Sequence, residues 1–138
     1  MKDSLITIAI NGLIIAVLAT LLLAGSVLFR QWSQFGRGEQ ALAAGNQIAA
    51  IAGYDAALHM YFPGSPLVQR SAERLWQIGE LLEKQGDTEK ALVAYRSLRS
   101  SFYAARWLVT PGREWIEKCD LRLAELAKKK EARDRPSH

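Results

Sequence analysis

The sequence predicts an all-α protein: a single N-terminal transmembrane helix, then a short array of helical hairpins with a closing C-terminal helix. Three observations predict it. Leu5 to Phe29 is an apolar run of 25 residues with no charged side chain. The rest of the chain carries apolar residues at helical spacing, broken by Gly-Asn, Pro-Gly and Gly-Asp pairs. A set of residues recurs 41 positions later, the mark of a duplicated supersecondary unit.

The boundaries follow in order. Residues 1–4 form a short N-terminal tail with Lys2 and Asp3. Residues 5–29 form the membrane span; at about 1.5 Å per residue they cover roughly 37 Å, more than the ~30 Å hydrocarbon core. Arg30, Gln31 and Trp32 mark its far end as an interfacial belt. The apolar core of a cleaved signal peptide runs about 7–15 residues, so this longer run is expected to stay as an anchor. Leu23-Ala24-Gly25-Ser26 has serine where a lipoprotein would need cysteine. Asn11, Gly12, Ala16 and Thr20 are the small or polar positions expected to pack on another transmembrane helix, with Asn11, Ala16 and Thr20 read along one side. In the other reading the hydroxyls bond their own helix carbonyls and Asn11 sits near the headgroups.

Residues 30–127 form the helical domain. Its first helix continues from the membrane span or restarts after Gly36-Arg37-Gly38, and ends near Gly45. The second runs from about Gln47 to Tyr61, with Ile51, Tyr54 and Leu58 on one face, until Pro63-Gly64 stops it. Ser65 caps and Pro66 opens a third helix carrying Leu67, Leu75, Ile78 and Leu82, which ends at Gly86. Asp87 caps the fourth, where Ala91, Leu92, Tyr95, Leu98 and Phe102 face the core. Thr110 caps and Pro111 starts the fifth, with Trp115, Cys119, Leu123 and Leu126 on one stripe. Residues 128–138 read as a basic flexible tail able to brush anionic lipid.

The duplicated residues are Gly38, Gly45-Asn46, Ala50, Tyr54, Ala57 and Phe62, recurring as Gly79, Gly86-Asp87, Ala91, Tyr95, Leu98 and Tyr103. This pattern resembles the tetratricopeptide repeat. In that family a small residue in the first helix and an alanine early in the second let the helices pack closely, and a large aromatic fills the groove between them. Leu75, Ile78, Gly79, Leu82, Gly86, Asp87, Ala91 and Tyr95 match that pattern. Trp76 falls one place late, and the spacing of 41 exceeds the family's about 34. The resemblance covers about 70 residues, from Gln34 to Tyr103, and implies a protein-binding helical array rather than an active site.

Charge and motif content point the same way. The net charge is +4, but residues 30–127 hold 12 Lys/Arg against 11 Asp/Glu, so the excess lies at the C-terminus. A nucleic-acid interface needs a basic stripe on the fold, so none is expected. Cys119 is alone, His59 and Asp55 fall four apart, and no P-loop, zinc or dinucleotide motif occurs. No enzyme activity, metal or cofactor is expected. Arg106 and Trp107, in an aromatic-rich link, are candidate partner contacts.

The expected function is a membrane-anchored adaptor or scaffold in a bacterial envelope complex. The alternative is a small accessory subunit of a transport or energy-converting complex, held mainly by its transmembrane helix. Expected partners are other proteins, including another membrane protein, with the bilayer and self-association as further contacts. The expected location is the inner membrane, single-pass, with the domain on the periplasmic side.

Overall fold

The computed structural model describes residues 1–105 and 111–135. It holds five helices: α1 (Lys2–Ala43), α2 (Gln47–His59), α3 (Pro66–Lys84), α4 (Thr88–Ala104) and α5 (Arg113–Asp134). Among the described residues there is no strand. Residues 2–23 of α1 are all exposed, and the apolar window within this helix is wholly unburied, with a mean hydropathy of 2.6. The helix is long and apolar enough to cross a membrane.

The membrane-length segment and the first domain helix are one rod. α1 passes through Gly36-Arg37-Gly38 without a break and ends at the Gly45 turn. That turn repeats after α3. Gly45 and Gly86 have φ of 74° and 79°, which glycine adopts without steric cost. The Asn46 amide donates to Ala41 O and the Asp87 amide to Leu82 O, both at 2.9 Å. The caps repeat as well: Asn46 Oδ1 accepts from the Ala49 amide and Asp87 Oδ1 from the Lys90 amide. All these pairs stand 41 residues apart.

The expected core positions on α2, α3 and α4 are buried: Ile51, Tyr54, Leu58, Leu67, Leu75, Ile78, Leu82, Ala91, Leu92, Tyr95, Leu98 and Phe102. Tyr54 and Tyr95 are fully enclosed. Each ring meets an aromatic of its own unit, Phe35 at 5.5 Å and Trp76 at 4.9 Å, again 41 apart. Such pairs contribute about 0.5–1.5 kcal/mol beyond the area they bury.

Several boundaries differ from expectation. α2 ends at His59 rather than Tyr61, because Met60 leaves helical geometry with ψ of 47°. α5 starts at Arg113, not Pro111: Gly112, at φ 67°, takes the cap position. Thr110 lies outside the described residues. The C-terminal segment does not fray at Lys128. α5 continues to Asp134, with Leu126 buried and Lys130 paired to Glu89 of α4. Gln31 is no interfacial residue but fully buried, donating to the carbonyls of Ala57 and Met60 and accepting from Ser65 Oγ. A single amide thus holds the end of α2 and the start of α3 against α1.

The helices alternate in direction. Gln31 lies beside the end of α2 and the start of α3. Ser101, late in α4, bonds Asp55, late in α2. Trp115, early in α5, bonds Gln69, early in α3. The turns at Gly45 and Gly86 and the end of α5 therefore share the opposite end. Lys128 to Arg135 lie at the end of the helical domain opposite Arg30, which stands roughly 20 Å back along α1 from the Gly45 turn.

A second internal spacing appears in the structure. Pro63-Gly64 before α3 matches Pro111-Gly112 before α5, 48 residues on, and both glycines have positive φ, 83° and 67°. Val68 and Ile116, Ser71 and Cys119, Ile78 and Leu126 are buried pairs at the same shift. α5 is thus built like α3, the first helix of a further hairpin.

Candidate protein-docking surfaces

Each hairpin is tied to the next by a tyrosine, a glutamate and an arginine. The Tyr54 hydroxyl donates to Glu39 at 2.7 Å, and Arg74 of α3 grips the same carboxylate with Nε and Nη2 at 2.8 and 3.0 Å. In the second unit Tyr95 donates to Glu83 at 2.7 Å, and Arg122 of α5 grips it at 2.8 and 2.7 Å. Two-point guanidinium–carboxylate contact fixes orientation as well as distance. Burial and the adjoining carboxylates raise both tyrosines well above the phenol range, so they stay protonated donors. Burial pushes Glu83 up, but the bonds from Arg122 and Tyr95 outweigh it and hold the carboxyl below its ordinary value. The 41-residue pattern does not mark these clamps, since the two glutamates occupy different positions in their repeats.

Three surfaces remain open around this frame. Between α1 and α3, Phe35, Glu39, Arg70, Glu73, Arg74 and Gln77 line a mostly polar cleft of about 320 Å³. Between α4 and α5 lies a larger groove of about 790 Å³, with Leu92, Leu123, Ala124 and Ala127 on its walls and Arg96 and Lys130 on its rim. The third surface is the free length of α1.

On α1 the expected partner positions do not share one side. Gly12, Ala16 and Thr20 follow at intervals of four and form a stripe, with nothing within 4 Å of a Cβ built on Gly12. Asn11 stands about 140° round the helix from Ala16, so it is off that stripe. A shallow hollow of about 240 Å³ sits at Ala16, Val17, Thr20 and Leu21. Thr7, Thr20 and Ser26 hydroxyls bond carbonyls of their own helix, Asp3, Ala16 and Leu23. Asn11 has no such partner. Arg106 and Trp107 lie outside the described residues.

The fold gathers one cluster that linear spacing hides. Ser101 Oγ donates to Asp55 Oδ1 at 2.6 Å and lies 3.4 Å from His59 Nδ1. The serine and the aspartate both face Nδ1, whereas a serine hydrolase has them on opposite ring nitrogens. Ser101 is buried, so the cluster is a polar tie between α2 and α4. Cys119 is enclosed, and burial pushes its thiol up to about 12, which keeps it unreactive at neutral pH. Among the described residues no three His, Cys, Asp or Glu side chains converge as a metal site.

No protein-family model, no curated protein and no solved structure matches this chain.

Proposed function

We propose that this chain is a single-pass membrane adaptor whose tetratricopeptide-like array docks other polypeptides in a bacterial envelope complex, without catalysis of its own. The observation that carries the reading is the continuity of α1, an exposed apolar rod that becomes the first helix of the hairpin array. The repeat assignment draws support from the two tyrosines: each fills the space over a first-helix glycine, Tyr54 over Gly38 and Tyr95 over Gly79, with Ala50 and Ala91 buried one turn earlier. Open surfaces beside a rigid frame suit protein recognition, and tethering raises local concentration so that modest affinity suffices. The placement we favour is the inner membrane with the array on the periplasmic side. Affinity capture of the full chain from membranes opened with mild detergent should bring down a partner in fixed ratio; a chain recovered alone overturns the reading. A reporter fused after residue 138 reads the orientation.

A second reading, an accessory subunit of a transport or energy-converting complex held mainly by α1, draws on Asn11. Its amide has no hydrogen bond in the isolated chain, and in lipid a neighbouring helix would supply one. A complex that survives deletion of residues 44–138 favours this reading over the first.

A further inference from the structure

We infer that the groove between α4 and α5 is the seat of an amphipathic helix from another polypeptide, which completes the third hairpin that α5 begins. This assignment rests on the adaptor reading and names its docking site and the kind of partner.

The protein itself shows what covers such a groove. Two internal shifts describe its walls. On the second-helix side, a shift of 41 carries Ile51 and Asp55 of α2 onto Leu92 and Arg96 of α4. On the first-helix side, a shift of 48 carries Leu75, Trp76, Gly79 and Leu82 of α3 onto Leu123, Ala124, Ala127 and Lys130 of α5. The residues of α2 and α3 in these sets surround α4: Trp76 and Gly79 lie against the Tyr95 ring, and Asp55 takes the Ser101 hydroxyl. Their equivalents on α4 and α5 line the groove of about 790 Å³, which no described helix fills. The clamp that seats α3 on the preceding unit is repeated by Arg122 and Glu83 for α5, so the two ledges are held in the same way.

The differences between the ledges describe the occupant. Ala124, small and exposed where α3 has Trp76, leaves room for a bulky apolar side chain, while the Cβ of Ala127, where α3 has Gly79, shuts out a flat ring seated as Tyr95 is and shifts that side chain toward Ala124. Arg96 makes no direct hydrogen bond or close ion pair with a described residue, although its charge helps to lower the Glu89 carboxyl and Glu131 and Asp134 share the groove lining. Arg96 stands where Asp55 receives Ser101, so the incoming helix should carry a carboxylate at the Ser101 position. The partner is therefore a helix with a bulky aliphatic residue and, six positions on, an acidic one.

The probe is a labelled peptide of residues 87–104 carrying Tyr95→Leu and Ser101→Glu and stapled between positions 89 and 93, mixed with the full chain in mild non-ionic detergent. Fluorescence polarisation should show saturable binding. Ala127→Arg, at an exposed position that leaves the unfolding midpoint unchanged, should weaken it at least about tenfold. Arg96→Glu should weaken it about threefold, with recovery when the peptide carries Ser101→Arg instead. No saturable binding, or binding indifferent to Ala127→Arg, overturns the assignment. So does a chain that sediments as a dimer alone and becomes a monomer with Ala127→Arg, because a second copy is then the occupant. If Ala127→Arg still retains the captured membrane partner, this assignment fails and the adaptor reading stands. If the unaltered chain retains none, the adaptor reading fails.

Discussion

Gly79 lies directly beneath the ring of Tyr95: a Cβ added there would come within 2.6 Å of ring carbons Cε1 and Cζ. The ring cannot swing aside, because it is fully buried and its hydroxyl is held by Glu83. Gly79→Ala should therefore destabilise the domain by about 1–2 kcal/mol, the overpacking cost less the helix-propensity gain. Gly53→Ala should cost more, since its Cβ would meet the backbone of Gly38 at 2.6 Å. Gly36→Ala, with nothing within 4 Å, should stabilise by about 0.5–1 kcal/mol. Urea midpoints of the full chain in detergent would check the order; equal effects at all three sites would contradict the packing described.

The Glu83 clamp predicts a pH dependence of known sign. The folded carboxyl lies below its ordinary value of 4.5, so its contribution is present above that pH and is lost as pH falls through the lower, folded value. Arg122→Leu removes the largest opposing influence and leaves burial to raise the group. The stability gap between this variant and the parent should be widest at neutral pH and narrow as pH drops toward about 3. A gap constant with pH would mean that Arg122 acts through packing alone.

Gln31 offers a sharper polar test. Gln31→Leu leaves the Ala57 and Met60 carbonyls without their donor and should cost about 1–3 kcal/mol. Gln31→Glu should be worse, because an ionised carboxylate then faces two carbonyls in a buried site. Unfolding at neutral pH distinguishes the two, and a Glu variant as stable as the parent would refute the burial.

Ser71 and Cys119 hold equivalent places on α3 and α5, both fully buried, and Ser71 Oγ has no hydrogen-bond partner. Ser71→Ala should stabilise the domain by about 1 kcal/mol by removing that hydroxyl. Cys119 should resist maleimide at neutral pH in the folded chain and react fully in urea. Rapid labelling of the folded protein would show that α5 opens readily.

Much of the fold was legible because its signals are local. Glycine followed by a capping Asn or Asp, and serine followed by proline, mark α2, α3 and α4 within a residue or two. The 41-residue repeat was legible because glycine, alanine and tyrosine are each required by one close helix crossing. The rest was hidden for physical reasons. Gln31 follows an apolar run and reads as interfacial until the fold brings Ser65 to it. The likeness of α5 to α3 was masked because α4 is longer than α2, 17 residues against 13, and the segment before α5 is also longer, which shifts the spacing from 41 to 48. Arg74 and Arg122 stand 48 residues apart, but their glutamates, 35 and 39 residues away in sequence, follow neither internal spacing, so the clamps show only in the fold. Of the expected contact positions, Gly12, Ala16 and Thr20 share a stripe on α1, and Asn11 falls outside it.

The unbroken course of α1 makes the array's azimuth a property of the span. With no hinge between residues 2 and 43, each residue inserted near position 25 would advance the domain by about 1.5 Å and swing it by about 100° around the axis of α1. A partner fixed in the same bilayer would then see the groove in some registers and the opposite flank in others.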